Sequence, residues 1–340
     1  MKQRLDQILN KHSELVDSRL KDGMKKSLGI DKLYLPEIDP NISLDDFYAH
    51  FDPIRDENGN EVKRLGDHQR EIWDDQYSYS KRCYPKAQKM WISTTCIFED
   101  IKHAVTDAMG YEIMICAQSD DHAQLHLSDF KKLILTSDLK DYLITKPIRE
   151  IGLERNEITK ADRAYLHNPK NPFWPTKVYT AGFTEGKLVS YKRIKHIHAS
   201  DFTKAESTVE NQEKAFASLT SRLANTQGSL VLEAPPRGQA GPLYRQYERY
   251  NKLKEDGIDL SQLSKNEQQK HPCYTKVYDY TIGIKNGCFT SEFIEGQKAE
   301  LGPLFGMYYG GIFEDSDMTW YKSDMFKTSQ EATESFGVIK

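Results

Sequence analysis

The sequence predicts an α/β protein with a mostly parallel central sheet. Between residues 89 and 137, a short apolar segment, a helix, a strand and a second helix follow one another with short connections, as in parallel strands joined by helical crossovers. Further along, the apolar segments RIKHIHAS and GSLVLEAPP are separated by a long helical pattern, at about residues 204–224. Hydrophobic residues make up 38% and charged residues 29% of the 340, which is the composition of a folded globular chain.

Composition also narrows the classes of function. The net charge of −4 gives no overall basic surface, which argues against tight nonspecific binding of nucleic acid. Five scattered cysteines without a CxxC pair predict reduced thiols rather than a zinc site or a disulfide framework. The N-terminus has no continuous apolar core, and no apolar run is long enough to span a bilayer. We therefore expect a soluble protein without a targeting signal.

Helical spacing and turn residues predict the remaining segments. Residues 1–22 indicate an amphipathic helix, and Asp67 indicates the N-cap of a helix that continues to Pro85. Residues 145–176 are rich in proline and asparagine and predict an irregular excursion. The later segments are the strands KVYTAGF, KLVSY and RIKHIHAS, the helix 204–224, the strand GSLVLEAPP, the helix GPLYRQYERYNKLKEDG, the strand YTKVYDYTIG and the helix TSEFIEGQKAELGP.

The stretch YKRIKHIHASDF, residues 191–202, is compatible with two kinds of site. In an extended strand, His196 and His198 lie on the same face, so the pair can bind one metal ion. A binuclear hydrolase would place an acid and a further histidine after them, but Ser200 and Phe202 occupy those positions. Alternatively, Asp201 ends a buried strand, where open α/β sheets bind ligands, and can hold Mg²⁺ or orient water at a nucleotide site.

The segment PKAQKMWISTTC, residues 85–96, is the candidate phosphate loop. It precedes a helix whose first turn carries Ser93 and Thr94, where the helix dipole favours anions. The consensus loop GxxxxGK[ST] has glycines and an adjacent lysine, and both are missing here. Lys86 and Lys89 are the cations that would replace that lysine. The segment therefore predicts either a divergent phosphate site or an ordinary capped helix.

Taken in order, five segments resemble the ATPase domain of the large terminase subunits that package DNA into viral capsids. They are LGDHQREIWD, KMWISTTCIFEDIKHAV, EIMICAQSDDHAQLHLSDFKKLI, IKHIHASDF and GSLVLEAPPRGQAGPLYRQYERY. The later TSEFIEGQKAELGPLFGMYYGGIF is similar to the closing segment of that domain. The resemblance implies a three-layer P-loop-type ATPase domain at 61–325, preceded by a helical or irregular segment at 1–60 and followed by a tail or linker at 326–340.

The resemblance also implies roles for residues around the phosphates. Gln69 matches the glutamine that contacts adenine in the family. QKMWIST aligns with a deviant phosphate loop in which Ser93 supplies the hydroxyl that binds Mg²⁺. Gln88 and Trp91 depart from the arginine and the glycine of that loop. The remaining phosphate ligands would be Lys86, Lys89 and Thr94.

Two acids complete the site that the resemblance implies. Asp201 matches the catalytic acid, which would activate water or hold Mg²⁺. Glu233 matches the acid of a segment that couples hydrolysis to movement, although EAPP keeps this acid without the two hydroxyl residues that follow it in the family.

As a terminase ATPase, the chain would bind ATP and Mg²⁺ and drive double-stranded DNA into a procapsid. Its partners would be that DNA, the portal of the procapsid and the small terminase subunit, and it would work as a ring of identical subunits in the host cytoplasm. The family's nuclease domain has no room after residue 325, so we expect a fragment or split gene product without nuclease activity. The alternative is a non-enzymatic binding or structural protein with a decayed ATPase fold.

Other notable residues have structural interpretations. Trp174, Trp320 and the tyrosines of LYRQYERY predict packing aromatics rather than base-stacking platforms. Arg237, beside Gly238, is a candidate phosphate-sensing arginine. A basic set predicts a solvated strand edge rather than a DNA contact, and its members are Lys177, Lys187, Lys192, Arg193 and Lys195.

Overall fold

The computed structural model describes residues 30–51, 65–183, 193–204 and 208–314, together with residues 23 and 26. The predictions of a helix at 1–22, a strand at KLVSY and a tail after residue 325 lie outside the described residues, as do Lys187, Lys192 and Trp320. Within the described ranges, no helix is both long enough and apolar enough to cross a membrane.

Seven strands of the described residues form one sheet. They are β1 (Lys81–Pro85), β2 (Glu112–Ala117), β3 (Arg163–Leu166), β4 (Thr176–Gly182), β5 (Ile194–Ser200), β6 (Ser229–Ala234) and β7 (Tyr274–Thr275). Their order across the sheet is β3-β4-β2-β5-β6-β1-β7. All neighbours are parallel except β3, which is antiparallel to β4 at one edge. The predicted mostly parallel sheet is confirmed.

Helices cover both faces of this sheet. In chain order they are α1 (Leu44–Tyr48), α2 (Asp67–Ser78), α3 (Ile92–Val105), α4 (Asp120–Leu135), α5 (Arg155–Ile158), α6 (Val209–Leu223), α7 (Gly241–Glu255), α8 (Lys265–Gln268), α9 (Tyr280–Lys285), α10 (Ser291–Leu301) and α11 (Phe305–Tyr308). The helices α3 and α4 pack on one face, and α6 and α7 pack on the other. The result is the predicted three-layer α/β architecture.

Alternate residues of the strands supply the two cores. Ile113 and Ile115 of β2 face the cluster that contains Phe98 of α3. Met114, between them, faces the opposite cluster, which contains Leu219 of α6. Because helices bury both faces, the strands are almost continuously apolar, as is usual for parallel sheets.

The first strand of the sheet lies where the sequence predicted a helix. The helix that begins near Asp67 ends at Ser78, and its N-cap is Gly66 rather than Asp67. KRCYP then forms β1, and the apolar KMWI is loop and helix start rather than strand. The prediction failed because β1 carries Arg82, which looks like a surface residue but is fully buried and paired with Glu99 of α3.

Three further boundaries differ from the sequence prediction. In YTKVYDYTIG only Tyr274–Thr275 is strand, because Asp279 accepts hydrogen bonds from the N–H groups of Thr281 and Ile282 and so starts α9. The helix expected at 204–224 begins only at Val209, where Thr208 caps it. The stretch 145–176 is less irregular than expected, since it contributes the edge strand β3.

Candidate nucleotide-binding site

The carboxyl ends of three neighbouring strands form the candidate site. β6 lies between β5 and β1, and Glu233 of β6 is in register with Ser200 of β5 and with Tyr84 of β1. The loop that follows β1 leads into α3, whose first turn contains Ser93. The parallel register therefore brings the candidate phosphate loop, the end of β5 and Glu233 together, at the edge where open α/β sheets bind ligands.

Glu233 is the centre of a buried polar cluster at this edge. Its Oε2 lies 2.7 Å from Nζ of Lys86. Its Oε1 accepts hydrogen bonds from the hydroxyls of Ser93, at 2.8 Å, and Ser200, at 2.5 Å. Lys86 Nζ also donates to Ser93 Oγ at 2.9 Å, so the three residues Lys86, Ser93 and Glu233 form a closed triangle of contacts.

The charges of this cluster stabilise one another. Burial by itself raises the pKa of Glu233, but Lys86 and then His198 outweigh burial and hold the pKa well below its usual value. Burial lowers the pKa of Lys86, but Glu233 and Asp201 more than compensate and the pKa of the ammonium is raised. Both groups are therefore ionised at neutral pH, in a position almost removed from water.

The backbone of the candidate loop has an unusual conformation for residues with side chains. Lys89 and Trp91 have φ values of 57° and 60°, in the left-handed region that favours glycine. Among the described residues, none accepts a hydrogen bond from the backbone N–H of Lys89, Met90 or Trp91. Successive N–H groups in alternating right- and left-handed conformations form concave anion sites. The loop thus offers the kind of backbone surface that binds phosphate.

Trp91 is the N-cap residue of α3. It is 36% exposed, so the residue is partly open to solvent. In the sequence resemblance Trp91 is aligned with a glycine, and its left-handed backbone conformation is one that glycine favours.

The other predicted phosphate ligands are close to the loop in sequence but differ in accessibility. Lys89 is exposed, whereas Thr94, in the first turn of α3, is half-buried. Gln88, which the sequence resemblance aligns with an arginine, is also half-buried, and its N–H donates to Tyr308 O at 3.0 Å. Lys86 is the cation that the fold holds beside Ser93, while Lys89 remains at the surface.

Gln69, the predicted adenine contact, lies against the base of the loop. Its Nε2 donates to Thr95 Oγ1 at 3.1 Å, and its Oε1 accepts from the N–H of Gly66 at 3.0 Å. Its neighbour His68 lies 2.9 Å, through Nε2, from the carbonyl oxygen of Met90. Both residues therefore connect the start of α2 to the loop and to the start of α3.

Asp201 ends β5 as the sequence predicted. It is half-buried and has a φ of 51°, so the chain turns sharply directly after Ser200. Its carboxylate contributes to raising the pKa of Lys86, so the charge of Asp201 acts on the cluster. An acid in this position can act on a water molecule beside a bound phosphate.

The sequence did not reveal Asp100, which joins both histidines of β5 to α3. Asp100 Oδ2 lies 2.8 Å from Nδ1 of His198, and Oδ1 lies 3.0 Å from Nε2 of His196. His198 in turn lies 3.7 Å, through Nε2, from Glu233. Burial lowers the pKa of His198, but Asp100 and Glu233 raise it to about 9. The available signal was a pair of adjacent acids, Glu99 and Asp100, directly between apolar residues of α3.

Glu99, His103 and His196 form the one cluster of the described residues whose ligand atoms are close enough to hold a metal ion. It contains one histidine of the predicted pair, while His198 contacts Asp100 and Glu233 instead. Arg82 Nη1 donates to Glu99 Oε2 at 2.9 Å and already supplies the positive charge that a metal would bring. His103 has its own acid, with Nδ1 2.8 Å from Asp107. This arrangement favours an internally paired network over a metal centre.

The remaining candidates lie away from the cluster's buried centre. Arg237, the candidate sensor, is exposed after β6.

The prediction that Trp174 is a packing residue is wrong, because it is 54% exposed and stacks on the guanidinium of Arg193. For the tyrosines of α7 the prediction is confirmed, since Tyr244 and Tyr247 pack against Phe313. Of the predicted basic strand edge, Arg193 is exposed and the side chains of Lys177 and Lys195 are half-buried.

Sequence comparisons and structure comparisons give different results. No protein-family model matches the chain, and no curated protein matches it by sequence. Among solved structures, the large terminase ATPase domain of Thermus phage P74-26 is similar, with a TM-score of 0.52 and 11% identity over 74% of this chain and 94% of that one. The large terminase of bacteriophage HK97 has a TM-score of 0.50 and 12% identity, over 87% of this chain and 53% of that one.

At 11–12% identity, the similarity of these structures is evidence for the fold alone. The matched P74-26 structure is an ATPase domain that aligns over nearly its whole length, whereas the chain covers about half of the HK97 protein. The resemblance found in the sequence is thereby confirmed for the architecture. The chain has the fold of the ATPase domain of phage large terminases.

Proposed function

We propose that this chain is the ATPase module of a viral DNA-packaging terminase, which couples ATP hydrolysis to the movement of double-stranded DNA into a procapsid. The observation that carries the proposal is the contact among Lys86, Ser93 and Glu233 beside a loop in which three successive N–H groups have no partner among the described residues. A cation, a hydroxyl and an acid in this arrangement are the parts that P-loop enzymes use to hold the phosphates and the metal.

The oxygen ligands of the site fit Mg²⁺, which prefers carboxylate and hydroxyl oxygens. The candidates are Ser93 Oγ and the carboxylates of Asp201 and Glu233. When bound with ATP, Mg²⁺ neutralises charge that develops on the transferred phosphoryl group. The chain's own residues then have separate tasks: backbone N–H groups of the loop and Lys86 bind phosphate, and Asp201 orients the attacking water.

The other residues of the site support these tasks. Lys89 and Thr94 reach the phosphates from the surface side of the loop and from the first turn of α3. Gln69 contacts the adenine, next to the place where it now bonds Thr95. Glu233 reports the state of the nucleotide along β6, because its strand continues into the segment before α7.

The partners follow from the proposed packaging role. They are double-stranded DNA, the portal of the procapsid and the small terminase subunit, and the active form is a ring of identical subunits in the host cytoplasm. The described residues account for an ATPase-type domain, so we expect no nuclease activity from them.

One observation favours the alternative of a non-enzymatic binding protein with the same fold. Lys86 is already satisfied by Glu233 and Ser93, so the cluster is complete without a nucleotide. A protein that had lost ATP binding would keep such a cluster for stability alone. The two functions differ in whether ATP changes the protein at all.

ATP turnover decides between them. We expect Mg²⁺-dependent release of phosphate from ATP that increases with double-stranded DNA, together with a nucleotide-induced rise in melting temperature. If no combination of ATP, Mg²⁺ and DNA produces turnover or a thermal shift, the proposed ATPase is refuted and the non-enzymatic binding protein remains.

A substitution of the catalytic acid tests the assignment within the site. Asp201→Asn should abolish turnover while the unfolding transition stays close to that of the wild type, because Asp201 is only half-buried. Asp256→Asn, an exposed acid at the end of α7, is the matched control and should retain full turnover. An active Asp201→Asn protein would show that another group orients the water.

A further inference from the structure

The two acids at the candidate site occupy different positions relative to Ser93, the hydroxyl expected to face the metal. Ser93 Oγ donates to Glu233 Oε1 at 2.8 Å. Asp201 follows the end of β5, beyond Ser200, where the chain turns at a φ of 51°. In P-loop enzymes the loop hydroxyl and an acid at the end of another strand hold the metal together. Here the acid in contact with the loop hydroxyl is on β6, the strand next to β1, and so one strand nearer to the loop than the β5 acid that the sequence resemblance implied.

The register of the sheet explains this placement. Ser200 and Glu233 are paired residues of β5 and β6, and the hydroxyl of Ser200 donates to Glu233 Oε1. Ser200 carries a hydroxyl and no carboxylate, and this hydroxyl holds the side chain of Glu233 in place. Glu233 therefore fills from β6 the space beside Ser93 that an acid at position 200 would fill from β5.

Lys86 shows that this space suits a cation. Its ammonium lies 2.7 Å from Glu233 Oε2, an oxygen that accepts no other hydrogen bond within the described residues. Glu233 is fully buried and Lys86 nearly so, hence Glu233 requires a positive partner at all times. When phosphate oxygens offer Lys86 a new partner, Glu233 Oε2 becomes available for a second cation.

We propose that Glu233, rather than Asp201, is the acid that binds the magnesium ion of the MgATP complex, with Lys86 as the cation that it exchanges for that ion. The inference rests on the proposed function, because it needs a nucleotide to draw Lys86 away. It leaves Asp201 with the single role of orienting water. It also gives Glu233 a direct means of sensing the nucleotide, since its partner changes from lysine to metal when ATP binds.

The effect of Mg²⁺ on nucleotide binding tests whether Glu233 or Asp201 is the acid that binds the metal. The affinity of the full chain for the non-hydrolysable analogue AMP-PNP is measured by calorimetry, with Mg²⁺ and with EDTA in its place. For the wild type we expect tighter binding with Mg²⁺. For Glu233→Gln the gain from Mg²⁺ should fall by about 10- to 100-fold, the range seen when the support of a bound metal is weakened, while binding in EDTA persists. Asp201→Asn should keep the wild-type gain.

A second variant covers the case in which Glu233→Gln does not fold, since that change leaves Lys86 buried without its counter-ion. Glu233→Asp keeps the charge, and therefore the partner of Lys86, but withdraws the carboxylate from Ser93 by one methylene. Circular dichroism should show a folded protein, and the gain from Mg²⁺ should again be reduced. Mn²⁺ in place of Mg²⁺ gives an independent readout, because its electron paramagnetic resonance spectrum with AMP-PNP should change in Glu233→Asp and not in Asp201→Asn.

The outcomes distinguish this inference from the proposed function. Wild-type protein that binds no AMP-PNP under either condition overturns both. If the wild type binds and Glu233→Asp keeps its full gain from Mg²⁺ while Asp201→Asn loses it, the proposed ATPase stands and Asp201 is the metal ligand. If Mg²⁺ no longer increases the affinity for AMP-PNP in either Glu233→Asp or Asp201→Asn, the inference is also overturned, because the two acids then bind the metal together.

Discussion

Lys86 and Glu233 form an ion pair that is almost completely removed from water, with 2.7 Å between Nζ and Oε2 and side-chain exposures of 8% and 0%. The two residues come from the loop after β1 and from the end of the adjacent β6, so their pairing fixes the loop to the sheet. A buried pair of this kind is costly to form and more costly to break, because removal of one partner leaves an unpaired charge in the interior.

Removing one partner of this pair should destabilise the protein more than removing both partners. Lys86→Met should lower the free energy of unfolding by about 3–5 kcal/mol, because Glu233 then remains ionised and buried. The double variant Lys86→Met/Glu233→Gln removes both charges and should regain much of the loss. Urea unfolding followed by circular dichroism measures both values.

Additivity is the result that would contradict this prediction. If the double variant loses as much as the two single variants together, the residues do not interact energetically. Lys89→Met, which removes an exposed cation from the same loop, serves as the control and should change stability little.

Because the backbone of Trp91 is left-handed, we expect glycine at this position to be more stable than alanine, which is the reverse of their order in a helix. Trp91→Gly and Trp91→Ala both remove the half-exposed ring, but only glycine adopts a φ of 60° without steric cost. We expect the glycine variant to be more stable than the alanine variant by about 1 kcal/mol, measured by urea unfolding. In α6, where the backbone is right-handed, Ala217→Gly should instead be destabilising, and equal stability of the two Trp91 variants would exclude backbone strain at this position.

Asp75 predicts a pH dependence of stability. Burial raises the pKa of its carboxyl to about 7, with the hydroxyl of Tyr84 donating to Oδ2 at 3.0 Å and acting in the opposite direction. The folded state thus binds a proton more tightly than the unfolded state, whose pKa is near 3.8. The contribution to stability is complete below about pH 4 and declines as the pH rises through 7, by up to about 1.4 kcal/mol per pH unit.

The variant Asp75→Asn isolates this contribution. Asparagine keeps an acceptor for Tyr84 but cannot lose a proton, so its advantage over the wild type should grow from pH 5 to pH 7 and level off above pH 8. Chemical unfolding at each pH gives the difference. A difference that is constant over this range would show that Asp75 does not titrate there.

The cluster of Glu99, His103 and His196 should contain no stoichiometric metal. Its charges are already matched by Arg82 and Asp107, and a divalent ion would lie next to the guanidinium of Arg82. Elemental analysis of purified protein should therefore find no zinc in proportion to the chain, and EDTA should leave the melting temperature unchanged. Zinc at one ion per chain that is lost in His196→Ala would establish a metal centre.

The sequence carried enough information for the layers of the fold but not for all of its strands. Apolar runs such as EIMICA and IKHIHAS are strands because helices bury both faces, and the helical spacing of STTCIFEDIKHAV placed α3 correctly. β1 was missed because Arg82 gives it a polar appearance. Its burial depends on Glu99, which reaches it only across the packing of α3 on the sheet.

The candidate site shows the same division. The sequence by itself determined that Asp201 ends a buried strand and that Ser93 begins a helix, since these are local patterns of polarity. The order of the segments added a resemblance to the terminase ATPase domain. Only the tertiary structure decided that Glu233 contacts Ser93, that Lys86 rather than Lys89 is held beside it, and that the backbone is left-handed at Trp91. Those relationships depend on strand order and register, and the packing of the whole sheet sets both.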